Sequence, residues 1–156
     1  MLLTRLSNWS GIMNPTFQPY LFFRGRCAEA VEYYKKTLGA EEVVVMRFKD
    51  SPEKPPTGQM PAGMNDRIMH ATLRVAGAEL MMADGMRSGP TDFDCVGVSL
   101  TVPNEADVDR IVNALAKDGK VQMPPGPTFF AKRFGGVIDK FGVNWMVLVP
   151  QPHQSG

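Results

Sequence analysis

Residues 18–42 read QPYLFFRGRCAEAVEYYKKTLGAEE, and three elements follow one another in them without a break. From Phe17 to Phe23 every residue except Gln18 and Pro19 is aromatic or aliphatic, which predicts a strand covered on at least one face. Pro19 cannot donate to a sheet ladder and belongs at the start of that strand or beside an unpaired edge. After the turn Arg24-Gly25-Arg26, Cys27, Val31, Tyr34 and Leu38 recur at i, i+4, i+7 and i+11, one stripe of a helix. Glu29, Glu32, Lys35 and Lys36 take the other side, with Glu32 placed to pair with Lys36. Gly39 stops the helix, and EVVVMRF over residues 42–48 begins a β-branched strand.

Working outward, residues 49–66 are rich in Pro, Gly and Met with no period, a long loop that is either a mobile insertion or a functional lid. Residues 67–75 alternate, with Met69, Ala71, Leu73 and Val75 on one side and His70, Thr72 and Arg74 on the other. Gly77 turns this strand into residues 78–84, a hairpin, and residues 85–94 form a linker. A second series follows: a strand at 96–102, a helix capped by Asn104 with the stripe Val108, Ile111, Val112 and Leu115 ending at Gly119, and a short strand at 121–123. The run PPGP then reads as a turn before strands at 129–138 and 143–149. The halves, about 17–84 and 93–149, are the same βαβββ unit, so each leaves a sheet face to be buried and two sheets are expected to meet around a cavity. The fold class is α+β: one domain over residues 15–150, an N-terminal extension over 1–14 with Met13 as a second plausible start, and a disordered tail over 151–156.

The totals narrow the function. Seventeen Lys and Arg against sixteen Asp and Glu give a net charge of +1, no field for a nucleic acid or an anionic membrane, and no segment approaches a membrane span. Two cysteines, Cys27 and Cys95, suit a reducing compartment, so the cytoplasm is expected. Only two histidines are present, His70 and His153, and HExxH, CxxC and the calcium-loop pattern are absent.

The segments PYLFFRGRCAEAVEYYKKTLGAE, IMHATLRVAGAELMMAD and DKFGVNWMVLV together resemble the PhnB-like branch of the vicinal oxygen chelate superfamily, which includes glyoxalase I, bleomycin-resistance proteins and extradiol dioxygenases. The resemblance implies paired βαβββ modules curled into incomplete barrels, a homodimer, and a small-molecule cavity. It also implies four metal-ligand positions, which fall here at Gln18 or Pro19, Met81, Gly97 and Met146. Of these only Gln18 suits a hard cation, so no bound metal and no other cofactor are expected. Members of this branch carry a demethylubiquinone-methyltransferase label, but no glycine-rich strand-to-helix turn for S-adenosylmethionine is present.

The expected function is therefore binding of a small organic molecule in a cavity lacking the usual metal ligands. The alternative is a metal-dependent glyoxalase- or dioxygenase-type enzyme with a reorganised site using His70. The candidate ligand-binding residues are Gln18, His70, Thr72, Met81, Arg133, Asn144 and Met146. His70 is the catalytic candidate, as a base or ligand contact, set against a histidine simply bonded to a neighbouring strand. Met81, Asn144 and Met146 would form a soft inner floor, or fill core. Arg133, with Lys132, Phe129, Phe130 and Phe134, would make a cationic aromatic mouth, or a solvated edge. Trp145 is assigned to the core. Cys27 stands between arginines at a helix start, a setting that lowers a thiol pKa, yet its place in the buried stripe predicts an inert thiol.

Overall fold

The computed structural model describes residues 16–53 and 62–152. The 1–14 extension, the alternative start at Met13, the middle of the 49–66 loop and His153 lie outside the described residues. The elements are β1 (Tyr20–Phe22), α1 (Cys27–Leu38), β2 (Glu41–Arg47), β3 (Ile68–Val75), β4 (Ala78–Ala83), β5 (Gly97–Thr101), α2 (Glu105–Ala116), β6 (Lys120–Gly126), β7 (Ala131–Ile138) and β8 (Asn144–Pro150). They make two mixed four-stranded sheets, ordered β1-β4-β3-β2 and β5-β8-β7-β6, neither closed into a barrel. The first and last strands of each module pair in parallel, Tyr20 with Met81 and Ser99 with Met146, and the remaining pairs are antiparallel.

The local chemistry accounts for most boundaries. Gly39, at φ 65°, ends α1 in the left-handed conformation that glycine adopts without a Cβ clash. Asn104 caps α2, its side-chain oxygen accepting from Asp107 N at 3.0 Å. The β3–β4 hairpin turns on Ala76 and Gly77, both at positive φ, the two-residue turn whose twist matches the flanking strands.

Four local expectations are corrected. The first strand is shorter than the apolar run, because Pro19 offers only its carbonyl, to Met81 N, before the ladder begins. Glu32 bonds Lys35 rather than Lys36, and Lys35 also reaches Glu42. The prolines 124 and 125 do not form a turn but end β6, whose pairing with β7 shifts register between Val121 and Met123 and again before Gly126. Finally, α2 ends at Ala116, and Gly119 serves close packing: a Cβ there would collide with the carbonyl oxygen of Ile138.

One continuous core lies between the helices and the helix-facing sides of both sheets. Leu21, Phe23, Ala71, Leu73 and Met82 meet α1, whose stripe is Cys27, Val31 and Tyr34; Val137, Val147 and Trp145 meet Val108, Val112 and Leu115 of α2 or Tyr34 of α1. Each Val, Leu, Phe or Met side chain among these contributes about 1.5–3 kcal/mol by burial. Phe23, Phe141 and Tyr34 pack edge to face with ring centroids 5.4–6.2 Å apart, so the joint between modules is aromatic. Among the described residues no α-helix lies on the opposite face of either sheet. No helix among the described residues is long and apolar enough to cross a membrane.

Candidate functional site

Alternation along the first sheet sorts its residues into rows. One row of the face turned away from α1 holds Tyr20, Met81, Thr72 and Val44; the next holds Phe22, Ala83, His70 and Met46. Tyr20 and Phe22 are substantially exposed while Leu21 and Phe23 between them are buried, which marks the open side. On it Tyr20 Oη lies 2.9 Å from His70 Nδ1, and His70 Nε2 lies 3.0 Å from Thr72 Oγ1. A neutral imidazole accepts at one nitrogen and donates at the other, so both ring positions are satisfied in either tautomer. Burial, and secondarily the neighbouring Cys27, push the Tyr20 hydroxyl above its usual range, so it is a donor at neutral pH, as an ordinary tyrosine is, and stays one further into the alkaline range. The Tyr20 ring stacks on Phe22 at 5.1 Å and tilts over the imidazole at 5.6 Å.

At the edge of this face Gln18 Nε2 donates to Glu79 Oε2 at 2.6 Å, and Arg74 spans Glu79 and Glu41 at 3.7 and 3.8 Å. The structure therefore gathers Gln18, His70, Thr72 and Met81 on one sheet face. Asn144 and Met146 share the open face of the other sheet, where Asn144 Nδ2 donates to the carbonyls of Phe93 and Val96, and Met146 is exposed. Arg133 stands apart from all of these. It lies on the α2 side of β7, held by Asp109 at 2.8 Å, because alternation puts it in the same row as Gly135 and Val137, which face the helix. Phe129, Phe130 and Phe134 do cluster, with centroids 5.1 and 5.3 Å apart, but without that cation.

The donor set does not fit the metal that the fold's enzymes hold. Gln18 is engaged by Glu79, Met81 and Met146 present thioethers, and the β5 partner of Met146 is Ser99, with Gly97 one row away. Among the described residues no three of His, Cys, Asp and Glu are grouped to hold a metal ion. The strand-to-helix turn is equally closed to an anionic cofactor: Gly25 N and Cys27 N, at the start of α1, both donate to Asp84 Oδ1, at 2.7 and 2.8 Å, and Ile68 N donates to Oδ2.

A cleft of about 390 Å³ adjoins the open face, between β1 and the connection that joins the modules. Tyr20, Phe22, Arg24, Arg87, Phe93 and Val96 are among its walls. Sequence reading assigned none of these to a site. The signals were the cationic turn Arg24-Gly25-Arg26 and a phenylalanine inside a polar linker.

A family model described as 3-demethylubiquinone-9 3-methyltransferase matches residues 15–148. The chain is 38% identical over 143 residues to Protein YjdN of Escherichia coli (strain K12), a match that spans 87% of this chain and 97% of that one. Among solved structures, protein PA1353 from Pseudomonas aeruginosa is 41% identical with a TM-score of 0.75, covering 89% of this chain and all of that one. A putative 3-demethylubiquinone-9 3-methyltransferase, PhnB protein, from Bacillus cereus is 27% identical with a TM-score of 0.69, covering 86% and 99%.

Proposed function

We propose, from the premise that this chain belongs to the 3-demethylubiquinone-9 3-methyltransferase family, the PhnB-like branch of the vicinal oxygen chelate superfamily, that it binds a small organic molecule on the open face of its first sheet without a metal ion. The observation that carries this reading is the hydrogen-bonded run Tyr20–His70–Thr72 set among Phe22, Met46 and Met81 on a face that no helix among the described residues covers. A few fixed polar groups in an apolar, adaptable surround are what an organic ligand requires. With both ring nitrogens already bonded, His70 serves this role without breaking a bond, whereas ligating a metal would break one. Methyl transfer is not part of the reading, since the turn before α1 has its amides taken by Asp84.

The same reading pairs two copies of the chain, because Phe22, Val44, Met123 and Met146 are exposed on the open faces or beside them. Unpaired Cys27 and Cys95 support a cytoplasmic setting. The direct test is metal analysis of protein purified without chelator, run beside a thermal-shift panel of organic metabolites on wild type, Gln18→Ala and His70→Ala. The expected result is a ligand-induced shift weakened in His70→Ala and no stoichiometric metal. Bound metal that is lost in either variant would overturn the reading in favour of a metal-dependent enzyme. Sedimentation analysis tests the dimer, with a monomer at tens of micromolar as the contrary result.

A further inference from the structure

We propose that the cleft between β1 and the inter-module connection is the anion-holding end of this ligand site, and that its ligand class is an aromatic carboxylate. The inference rests on the reading above, that an organic molecule binds beside Tyr20 and Phe22, and adds the charge and shape of that molecule.

The first observation is the backbone of Arg24. It sits at φ 52°, left-handed, in the two-residue turn closed by Arg26 N donating to Phe23 O at 3.0 Å. A side chain in that conformation costs about 1–2 kcal/mol relative to an ordinary one, and glycine or asparagine is the residue that suits it. A long cation stands there instead, and its guanidinium reaches across to donate to the carbonyl of Pro90 in the connection. Backbone strain at a wall of a cleft is where a functional side chain is to be sought.

The second observation is that the opposite wall is built. Arg67 donates to the carbonyl of Arg87 at 2.9 Å and to Ser88 Oγ at 2.7 Å, and its guanidinium packs beneath Gly25. Arg24 and Arg67 thus strap the connection from two sides, and Arg87 is carried into the lining of the cleft. The third observation is the charge balance. None of the ion pairs among the described residues involves Arg24 or Arg87. The acids of the lining are otherwise engaged: Asp84 by the amides of Gly25, Cys27 and Ile68, and Asp92 by Asp94 N at 3.3 Å. Amide hydrogen bonds leave both carboxylates charged, so the lining carries two cations against two acids, Asp84 buried beneath the cleft and Asp92 at its surface. A balanced lining of this kind suits a singly charged carboxylate better than a dianionic phosphate.

Guanidinium groups take a carboxylate through a planar fork of two N–H donors. The body of the ligand is defined by Tyr20 and Phe22, whose rings lie nearly parallel at 26°, with Phe93 behind them. A flat aromatic system fits such a surface by offset stacking. The volume of about 390 Å³ is that of a small-ligand pocket.

The test is calorimetric titration of the full chain with 2-naphthoate, its neutral amide 2-naphthamide and 2-naphthyl phosphate. Naphthoate is expected to bind at least about tenfold more tightly than the amide and more tightly than the phosphate. Arg87→Gln, on the exposed connection, is expected to weaken naphthoate about tenfold and leave the amide unchanged. Arg24→Gly relieves the left-handed strain and gives up the bond to Pro90, so its Tm is expected within a few degrees of wild type while naphthoate affinity falls. Equal binding of amide and acid overturns the anion assignment and leaves the apolar site standing. Tighter binding of the phosphate overturns the carboxylate class alone. Absence of binding by all three probes up to several millimolar overturns the aromatic carboxylate inference, while the reading it rests on stands or falls on the metabolite panel. Wild-type affinity in both arginine variants overturns the roles given to Arg24 and Arg87.

Discussion

Tyr34 Oη donates to Asp139 Oδ2 at 2.6 Å, and that bond ties the helix of the first module to the last hairpin of the second. Asp139 is buried and also accepts from Trp145 Nε1 at 2.9 Å and from the amides of Phe141 and Val143. Tyr34→Phe keeps the ring in the aromatic joint and removes one donor from a buried carboxylate. The expected loss is about 1–3 kcal/mol, read as a lower urea midpoint at unchanged slope. Trp145→Phe removes the neighbouring donor, and the two losses should not add, since both act on one oxygen. An unchanged midpoint in Tyr34→Phe would show that the joint is held by packing alone.

The same joint sets an alkaline limit. Burial, and then the charge of Asp139, push the Tyr34 hydroxyl well above its ordinary 10.0 and push Tyr33 up to about 12. Both groups are protonated in the folded and unfolded chain below pH 10, so their contribution is fully present there. Above it the unfolded chain releases its protons first and binds fewer than the folded one, so stability falls as pH rises. The urea midpoint is expected to hold level to about pH 9.5 and then to drop, by up to about 1.4 kcal/mol per pH unit from Tyr34. Tyr34→Phe should flatten that drop, and an equally steep fall in the variant would assign it to other groups.

What could be read from the chain beforehand divides along physical lines. The stripes of α1 and α2, the Asn104 cap and the burial of Trp145 and Cys27 are local or periodic properties, and periodicity survives folding. On the sequence Asp84 is only the last residue of a strand and Asp139 the first of a short connection, because the amides and hydroxyl that mark them out arrive from residues far off in the chain. Arg133 was grouped with Phe129, Phe130 and Phe134 by nearness in sequence, whereas alternation along β7 sets it with Gly135 and Val137 on the side that faces α2. The cleft was invisible for the same reason as Asp84: Arg24 and Pro90 are neighbours only after the first module closes. His70, Thr72 and Met81 could be grouped in advance since pleating alone puts them on one face, whereas Tyr20, their hydrogen-bonding partner, was read only as part of an apolar run.

Asp84 fastens three segments at one point, the turn before α1, the first turn of the helix and the start of β3. Asp84→Asn replaces one acceptor oxygen with an amide NH2, a donor, which must face either Ile68 N or the Gly25 and Cys27 amides. At least one buried N–H then loses its acceptor, at a cost of about 1–3 kcal/mol. Hydrogen exchange at Cys27 or Ile68 is expected to accelerate beyond what the global loss of stability explains. Uniform acceleration across the domain would argue against a local pin.

The thiols should separate cleanly. Cys27 is fully buried, and burial first, with Asp84 second and against Arg47, drives its pKa far above the ordinary thiol range, whereas Cys95 is exposed. At pH 8 a disulfide reagent is expected to label one thiol per native chain within minutes. Cys95→Ser should show none until denaturant is added. Rapid labelling of Cys95→Ser would mean that the first turn of α1 opens readily.

Two glycines without positive φ test how closely α2 and its sheet approach. A Cβ at Gly135 would lie 2.7 Å from Cγ2 of Val112 and 3.3 Å from Cγ of Pro125, contacts made mainly by a side chain that can be trimmed. A Cβ at Gly119 would meet the backbone carbonyl of Ile138, which cannot. Gly135→Ala is therefore expected to cost about 1–3 kcal/mol through overpacking. Val112→Ala in the same chain should recover part of that cost, although it leaves a smaller apolar contact of its own. Gly119→Ala should cost as much or more and find no rescue among side-chain truncations, because relief requires the end of β7 to move off the helix. Calorimetric Tm values for the two alanine variants, with and without Val112→Ala, decide it. Rescue of Gly119→Ala by Val112→Ala, or none for Gly135→Ala, would mean that the helix shifts as a rigid body and that neither glycine sets its distance from the sheet.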